Sequence, residues 1–287
     1  VLVCVKEGGF LQTTAVTATG VGPLLIRGGY AGVGFTMGGA TVVGRQTMNG
    51  GTLVQCTLFS FSGSTVALES MTITNGFSRT VYYGQAVSLL NTCTAKIKNC
   101  TFTENGPGGQ NNTVYYGGAV GAQNGTLVID NCTFARNKLD GYGGNNGNVC
   151  PRGGAVGAYR AAVTIRHSTF DRNWTRSVHA RGYGGGAIGL KECPVVVIDN
   201  CTFTTNFART SDGASNYLPC DQWGHGPYGG TIYIADSPSA VIRDSTFLGG
   251  WSASFGTGRL TWGWGGLMFF FNSNVALTRT TVYGAGE

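Results

Sequence analysis

The chain of 287 residues is expected to fold as an all-β, right-handed parallel β-helix, a solenoid with long loop inserts between coils on one face. Three observations predict this. A six-residue motif that opens on an aliphatic residue and closes on Phe recurs along the chain. A Gly-Gly-Ala-Val/Ile motif precedes each good copy, and an Asn follows three residues after most of the Phe. Self-similarity at a period of roughly 20–50 residues is the mark of stacked repeats, in which each unit buries its apolar face only against its neighbours.

The copies run as follows. Residues 97–102 read I-K-N-C-T-F, 129–134 and 198–203 read I-D-N-C-T-F, 165–170 read I-R-H-S-T-F and 242–247 read I-R-D-S-T-F. Weaker copies are 68–73 and 277–282, with a poorer one at 53–58. The glycine motif begins at Gly84, Gly117, Gly153, Gly185, Gly229 and Gly265, giving spacings of 33, 36, 32, 44 and 36 residues. Residues 117–137 make about one coil, and the variable remainder, such as 138–152, reads as a loop that leaves between coils. The whole of 1–287 reads as one domain, with 1–52 as irregular N-terminal coils and 53–287 as regular coils carrying inserts.

Side chains alternate along a strand, so Ile129, Cys132 and Phe134 should point inward, and Asp130 and Thr133 outward. Stacking the copies predicts an aliphatic column through Ile97, Ile129 and Ile165, a Phe column through Phe102, Phe134 and Phe170, and a small-residue column containing Cys100, Cys132 and Cys201 as packed thiols. Asn105, Asn137, Asn173 and Asn206 form a predicted asparagine ladder at a repeated bend, where Asn tolerates left-handed backbone angles. The outward column Glu69, Lys98, Asp130, Arg166, Asp199 and Arg243 alternates in sign at every coil, which favours one register.

Composition narrows the function classes. Gly is 49 of 287, about twice ordinary usage, and charged residues are 11% against an ordinary 25% or so. The net charge is +6, yet the basic residues are scattered and form no stripe for nucleic acid. No apolar run is long enough to suggest membrane insertion. The nine Cys include no C-x-x-C pair, and no metal site or cofactor is expected. With six N-x-[ST] sequons they favour an extracellular or cell-surface setting. Asn99, Asn131 and Asn200 lie on the outward side of a bend, and Asn111 and Asn124 on a loop and a turn. These five are the glycosylation candidates, whereas Asn173 falls in the buried ladder. The start at Val1, with no Met, reads as a processed form or a piece of something longer.

The pairing of G-G-A-[VI] with F-x-x-N over residues 84–268 resembles the repeats of the chlamydial-type polymorphic outer-membrane proteins, and more broadly the pectate-lyase-like β-helix superfamily. The resemblance implies a β-helical, surface-exposed adhesin-like chain. The long aromatic inserts and the sequons depart from that family's pattern.

Carbohydrate chemistry on such a scaffold needs converging carboxylates. Only 13 acids occur, and no two are adjacent or one residue apart. The fragment Gly224-His225-Gly226 matches a short polygalacturonase signature, so Asp221, His225 and Asp236 are the candidates for a polysaccharide lyase or hydrolase. The paired acids of that family are missing.

The inserts hold the five Trp: Trp174, Trp223, Trp251, Trp262 and Trp264. These aromatics either pack on one another or form a contact face for another subunit or for glycans. Cys150 and Cys220, in two different inserts, are the candidate disulfide. The expected function is a non-enzymatic extracellular structural protein, a glycosylated subunit of a surface fibre or filament that self-associates or joins other extracellular subunits. An adhesin or glycan-binding surface module is the alternative, and a polysaccharide-active enzyme the second.

Overall fold

Short runs of alternating apolar and polar residues, each closed by a left-handed corner, wind this chain into parallel rungs. The computed structural model describes residues 1–12, 14–30, 40–45, 57–78, 83–106, 116–142, 152–178, 184–211, 228–254 and 266–285. Among these residues all regular elements are strands, gathered into a 15-stranded and an 11-stranded sheet. Neighbouring strands pair in parallel, in the register that the repeat predicts: Ile97 lies against Ile129, Ile129 against Ile165, and Ile198 against Ile242.

One coil shows why these residues form these elements. The strand Val120–Asp130 is bent midway at Asn124, whose φ is 49°. Asn131 turns the next corner with φ 51°, the strand Thr133–Ala135 follows, and Arg136 turns the third corner with φ 55°. The second corner is left-handed in seven stacked positions: Ser70, Asn99, Asn131, His167, Asn200, Asp244 and Arg279. Asn and Asp accept this backbone most readily among non-glycine residues. The third corner corrects one expectation. The ladder asparagines do not take the left-handed angle; Glu104, Arg136, Arg172 and Thr205 take it one residue earlier. That residue reverses the chain, which leaves the Asn amide aimed inward.

The glycine motif is dictated by crowding. Gly117 has φ 74°, and a Cβ there would sit 1.9 Å from the Val120 carbonyl oxygen. A Cβ on Gly118 would meet the oxygens of Gly154 at 2.1 Å and Lys138 at 2.4 Å. The incoming chain thus crosses against the outgoing one at this point.

The core is one continuous stack. Ile97, Ile129, Ile165, Ile198 and Ile242 are buried, as are Phe102, Phe134, Phe170, Phe203 and Phe247. The Phe rings stack with centroids 4.8, 4.8, 4.9 and 4.5 Å apart. Each such pair contributes about 0.5–1.5 kcal/mol beyond its buried area. Asn137 Nδ2 donates to Phe102 O at 2.9 Å and to Asn173 Oδ1 at 2.9 Å, and its own Oδ1 accepts from Asn105 Nδ2 at 2.9 Å. On the last coil Leu277 and Val282 continue the two columns but are about half exposed, at 52% and 49%.

Two further expectations change. The segment 53–58 is not an early copy of the Ile-to-Phe motif. Leu58 leads into Phe59–Ser62, which pairs with Val87–Leu90 and so holds the Gly-Gly-Ala-Val slot; residues 53–56 lie outside the described residues. The early coils keep the stacking at several points, with Val3 against Ile26, Ile26 against Leu68, Phe10 against Val43 and Val43 against Ile73, but the register shifts between Cys4 and Lys6. Finally, the residues after Asn137, Asn173 and Asn206 do not leave directly as loops. Lys138–Tyr142 is a strand that pairs with Trp174–Val178, and that strand pairs in turn with residues 207–211. Leu139 and Asp140 are buried there, which gives the extra rungs a reason to form.

Candidate functional site

The charge column holds its predicted register, with Lys98 between Glu69 and Asp130 and Asp199 between Arg166 and Arg243. It also runs one coil further back than the motif shows, because Arg27 lies against Glu69 and binds it. Arg243 Nη2 reaches Asp199 Oδ2 at 2.8 Å, and the hydrogen bond with Arg243 holds the Asp199 carboxyl below its usual pKa. Asp130 takes a different partner, the His167 ring nitrogen at 2.9 Å. Other acids pair in the same lateral way: Glu104 with Arg136, Glu192 with Arg160 and Asp244 with Arg279.

Of the hydrolytic candidates, Asp221 and His225 lie outside the described residues. Asp236 turns a left-handed corner with φ 51° and accepts a hydrogen bond from Asn272 Nδ2 at 2.9 Å, so a corner contact accounts for it. An open, apolar cavity of about 580 Å³ lies on the outer face of the first coils between Leu2, Leu25, Ala67 and Lys96. Its lining carries no carboxylate. Among the described residues no group of three or more His, Cys, Asp or Glu converges as metal ligands would.

The thiols are core groups. Cys93, Cys100, Cys132, Cys193 and Cys201 are buried and unpaired. Burial pushes the Cys100 and Cys193 thiols up to about 11 and those of Cys132 and Cys201 up to about 12, which removes the thiolate at neutral pH. Cys150 and Cys220 lie outside the described residues. The sequon corners Asn99, Asn131 and Asn200 are exposed, and Asn131 Nδ2 donates to Asn99 Oδ1 at 2.8 Å. Asn124 is half-buried at the first corner, Asn173 is buried in the ladder, and Asn111 is outside the described residues.

The aromatic expectation divides. Trp223, Trp262 and Trp264 lie outside the described residues. Trp174 and Trp251 do not hang from inserts; they stand in the extra strand rungs, in register through Phe207. The Trp174 and Phe207 rings stack at 5.8 Å and 4°, and Phe207 and Trp251 at 4.7 Å and 5°. All three are half-buried. In this face-to-face stack each Trp covers one face of Phe207.

Basic groups crowd this stack. Lys138 Nζ and the Arg176 guanidinium each sit 5.6 Å from a Trp174 ring centre, and the Arg209 guanidinium sits 5.0 Å from one. Among the described residues one acid answers them. Asp140, with its side chain 3% exposed, takes Arg176 in a two-pronged pair at 3.0 and 3.1 Å. Burial nonetheless pushes the Asp140 carboxyl above its usual pKa, outweighing Arg176. Burial first, and then the neighbouring Arg176 charge, lower the Arg209 pKa. Arg209 Nε is shielded from solvent and makes no hydrogen bond. The motif search passed over this site, although one signal marks it: the residues directly after the ladder asparagines are Lys138, Trp174 and Phe207.

A second aromatic group packs where the chain returns. Tyr116 stacks on Tyr83 at 5.2 Å, and the buried Arg152 donates to the Tyr116 hydroxyl at 3.1 Å while lying over its ring. These rings pack on one another, as one reading of the inserts holds.

Comparison with known proteins gives one family. The model described as the right-handed beta helix region matches residues 86–287. Comparison with curated proteins and with solved structures returns no match. With parallel rungs, stacked apolar columns and that match over most of its length, the chain belongs to the right-handed β-helix family.

Proposed function

We propose that the chain is a non-enzymatic extracellular scaffold, a glycosylated subunit of a surface fibre or filament. The observation that carries this reading is the use of its acids. Seven of the 13 are bound in ion pairs, Glu69, Glu104, Asp140, Asp171, Glu192, Asp199 and Asp244, and Asp130 shares a hydrogen bond with the His167 ring. Apart from the local Asp171–Arg172 and Lys191–Glu192 pairs, these contacts join different coils, so charge here serves register rather than a reacting bond. Apolar side chains exposed on the terminal coils, including Leu2, Leu277 and Val282, support association with further coils or another subunit. The outer-membrane-type repeat and the exposed sequon corners support a surface setting. Electron microscopy of the native material tests this. Ordered fibres whose repeat equals one β-helix length are expected, and dispersed monomers overturn the reading.

A second reading, an adhesin or glycan-binding surface module, is favoured by the Trp174–Phe207–Trp251 stack and its surplus of basic groups. Glycan-array binding by the folded chain is the expected result for that reading, and failure to bind any glycan overturns it.

A further inference from the structure

We propose that Arg209, Lys138 and Trp174 form a binding site for the sulfate group of a sulfated glycan. This rests on the glycan-binding reading above and gives it a ligand chemistry.

The first observation is a surplus of charge. Three cations, Lys138, Arg176 and Arg209, surround Trp174, and among the described residues a single carboxylate, Asp140, faces them. Asp140 is committed to Arg176 through both oxygens. Arg209 and Lys138 make no close ion pair among the described residues, although the Asp140 charge reaches both. The second observation is desolvation. The guanidinium of Arg209 lies against an indole with Nε shielded from water and no acceptor on it. Leaving a shielded donor unmet costs about 1–3 kcal/mol, and more for a charged group. The Trp174 ring offsets part of that cost, and the terminal guanidinium nitrogens of this half-buried side chain are the groups an incoming oxyanion would reach.

Geometry then selects the ligand. Register puts Lys138, Arg176 and Arg209 on three successive rungs about 4.8 Å apart, so Lys138 and Arg209 are separated by about 10 Å along the solenoid axis. Trp174 lies between them. A guanidinium offers planar, forked donors suited to oxyanions, and an ammonium offers a point charge. A sulfate ester carries three terminal oxygens. It can meet Arg209, the outward side of Arg176 and, through a neighbouring sulfate on the same chain, Lys138. A carboxylate has two oxygens, and Asp140 already supplies a carboxylate to this cluster.

Heparin is the probe, and polygalacturonate, which carries carboxylates only, is the comparison. Each is titrated against the wild-type chain, Arg209→Ala, Arg209→Lys and Lys96→Ala. The last removes one exposed charge from the other sheet. The proposal expects heparin to bind wild type and Lys96→Ala alike, to quench Trp fluorescence, and to bind Arg209→Ala about tenfold more weakly. Arg209→Lys should fall between, since it keeps the charge without the fork. Melting temperature separates binding from folding: Arg209→Ala should melt no lower than wild type, because it removes a desolvated cation without an acceptor. Equal loss in Arg209→Ala and Lys96→Ala means diffuse attraction to net charge and overturns the proposal. So does tighter binding of polygalacturonate than of heparin, or a fall in melting temperature for Arg209→Ala. If glycans bind elsewhere on the chain, the glycan-binding reading survives and this site does not. If none binds, both fail.

Discussion

Asn137 and Asn173 sit one coil apart with both side chains fully buried, and the amide of Asn137 donates to the oxygen of Asn173 at 2.9 Å. Each is at once donor to the next coil and acceptor from the last, so removing one strands groups on both sides.

Asn137→Ala is therefore expected to destabilise the chain by about 3 kcal/mol or more, since each unmet buried group costs about 1–3 kcal/mol. Asn137→Asp keeps the acceptor and loses the donor while burying a charge, and should do no better. Chemical denaturation of both variants checks this. A cost below that of an ordinary surface substitution would remove the ladder from the list of stabilising features.

Phe134 is fully buried, with Phe102 and Phe170 stacked on either face. Phe134→Ala should cost about 3–5 kcal/mol, and Phe134→Leu clearly less. The same denaturation measurement distinguishes them.

Cys100, Cys132, Cys193 and Cys201 should resist iodoacetamide at pH 8 in the native state and react fully in denaturant. Their raised pKa values and burial both withhold the thiolate. Peptide mapping after labelling reads each site separately. Rapid native labelling of Cys132 would contradict its place in the core.

Stability should fall on the acid side. Hydrogen bonds from Arg243 and Arg279 depress the pKa of Asp199 and Asp244 in the folded chain. A depressed carboxylate contributes stability that is present above its unfolded pKa of about 3.9 and is lost as pH falls through the folded value. Asp140 acts in the opposite sense, since burial raises its pKa and favours its protonated form on folding. Melting temperature should be level between about pH 8 and 5 and decline below about pH 4. Asp199→Asn with Arg243→Gln should flatten part of that decline.

Much of the fold was legible because a repeat prints its interior as columns. The Ile and Phe positions, the asparagine ladder and the alternating charges all follow from lining up six-residue copies. The early coils were hidden because Ile26 and Val43 fill the core slots without the surrounding N-C-T signature. The Trp174 rungs were hidden for a different reason. Trp174, Phe207 and Trp251 differ in identity, and each is followed by an insert of different length, so the eye groups them with the loops. Their shared place is the slot directly after the third bend, and stacking energy rather than sequence identity holds them in line. Asp221, His225, Cys150 and Cys220 had no repeat to anchor them.

The alternating column from Arg27 to Arg243 also bears on how such a chain can lengthen. Deleting the single coil that carries Asp130 would bring Lys98 against Arg166, and inserting one coil anywhere in the column sets like charges side by side. Adding or losing coils in twos keeps every neighbour opposite in sign. A lengthening that preserves this face therefore comes in pairs of coils.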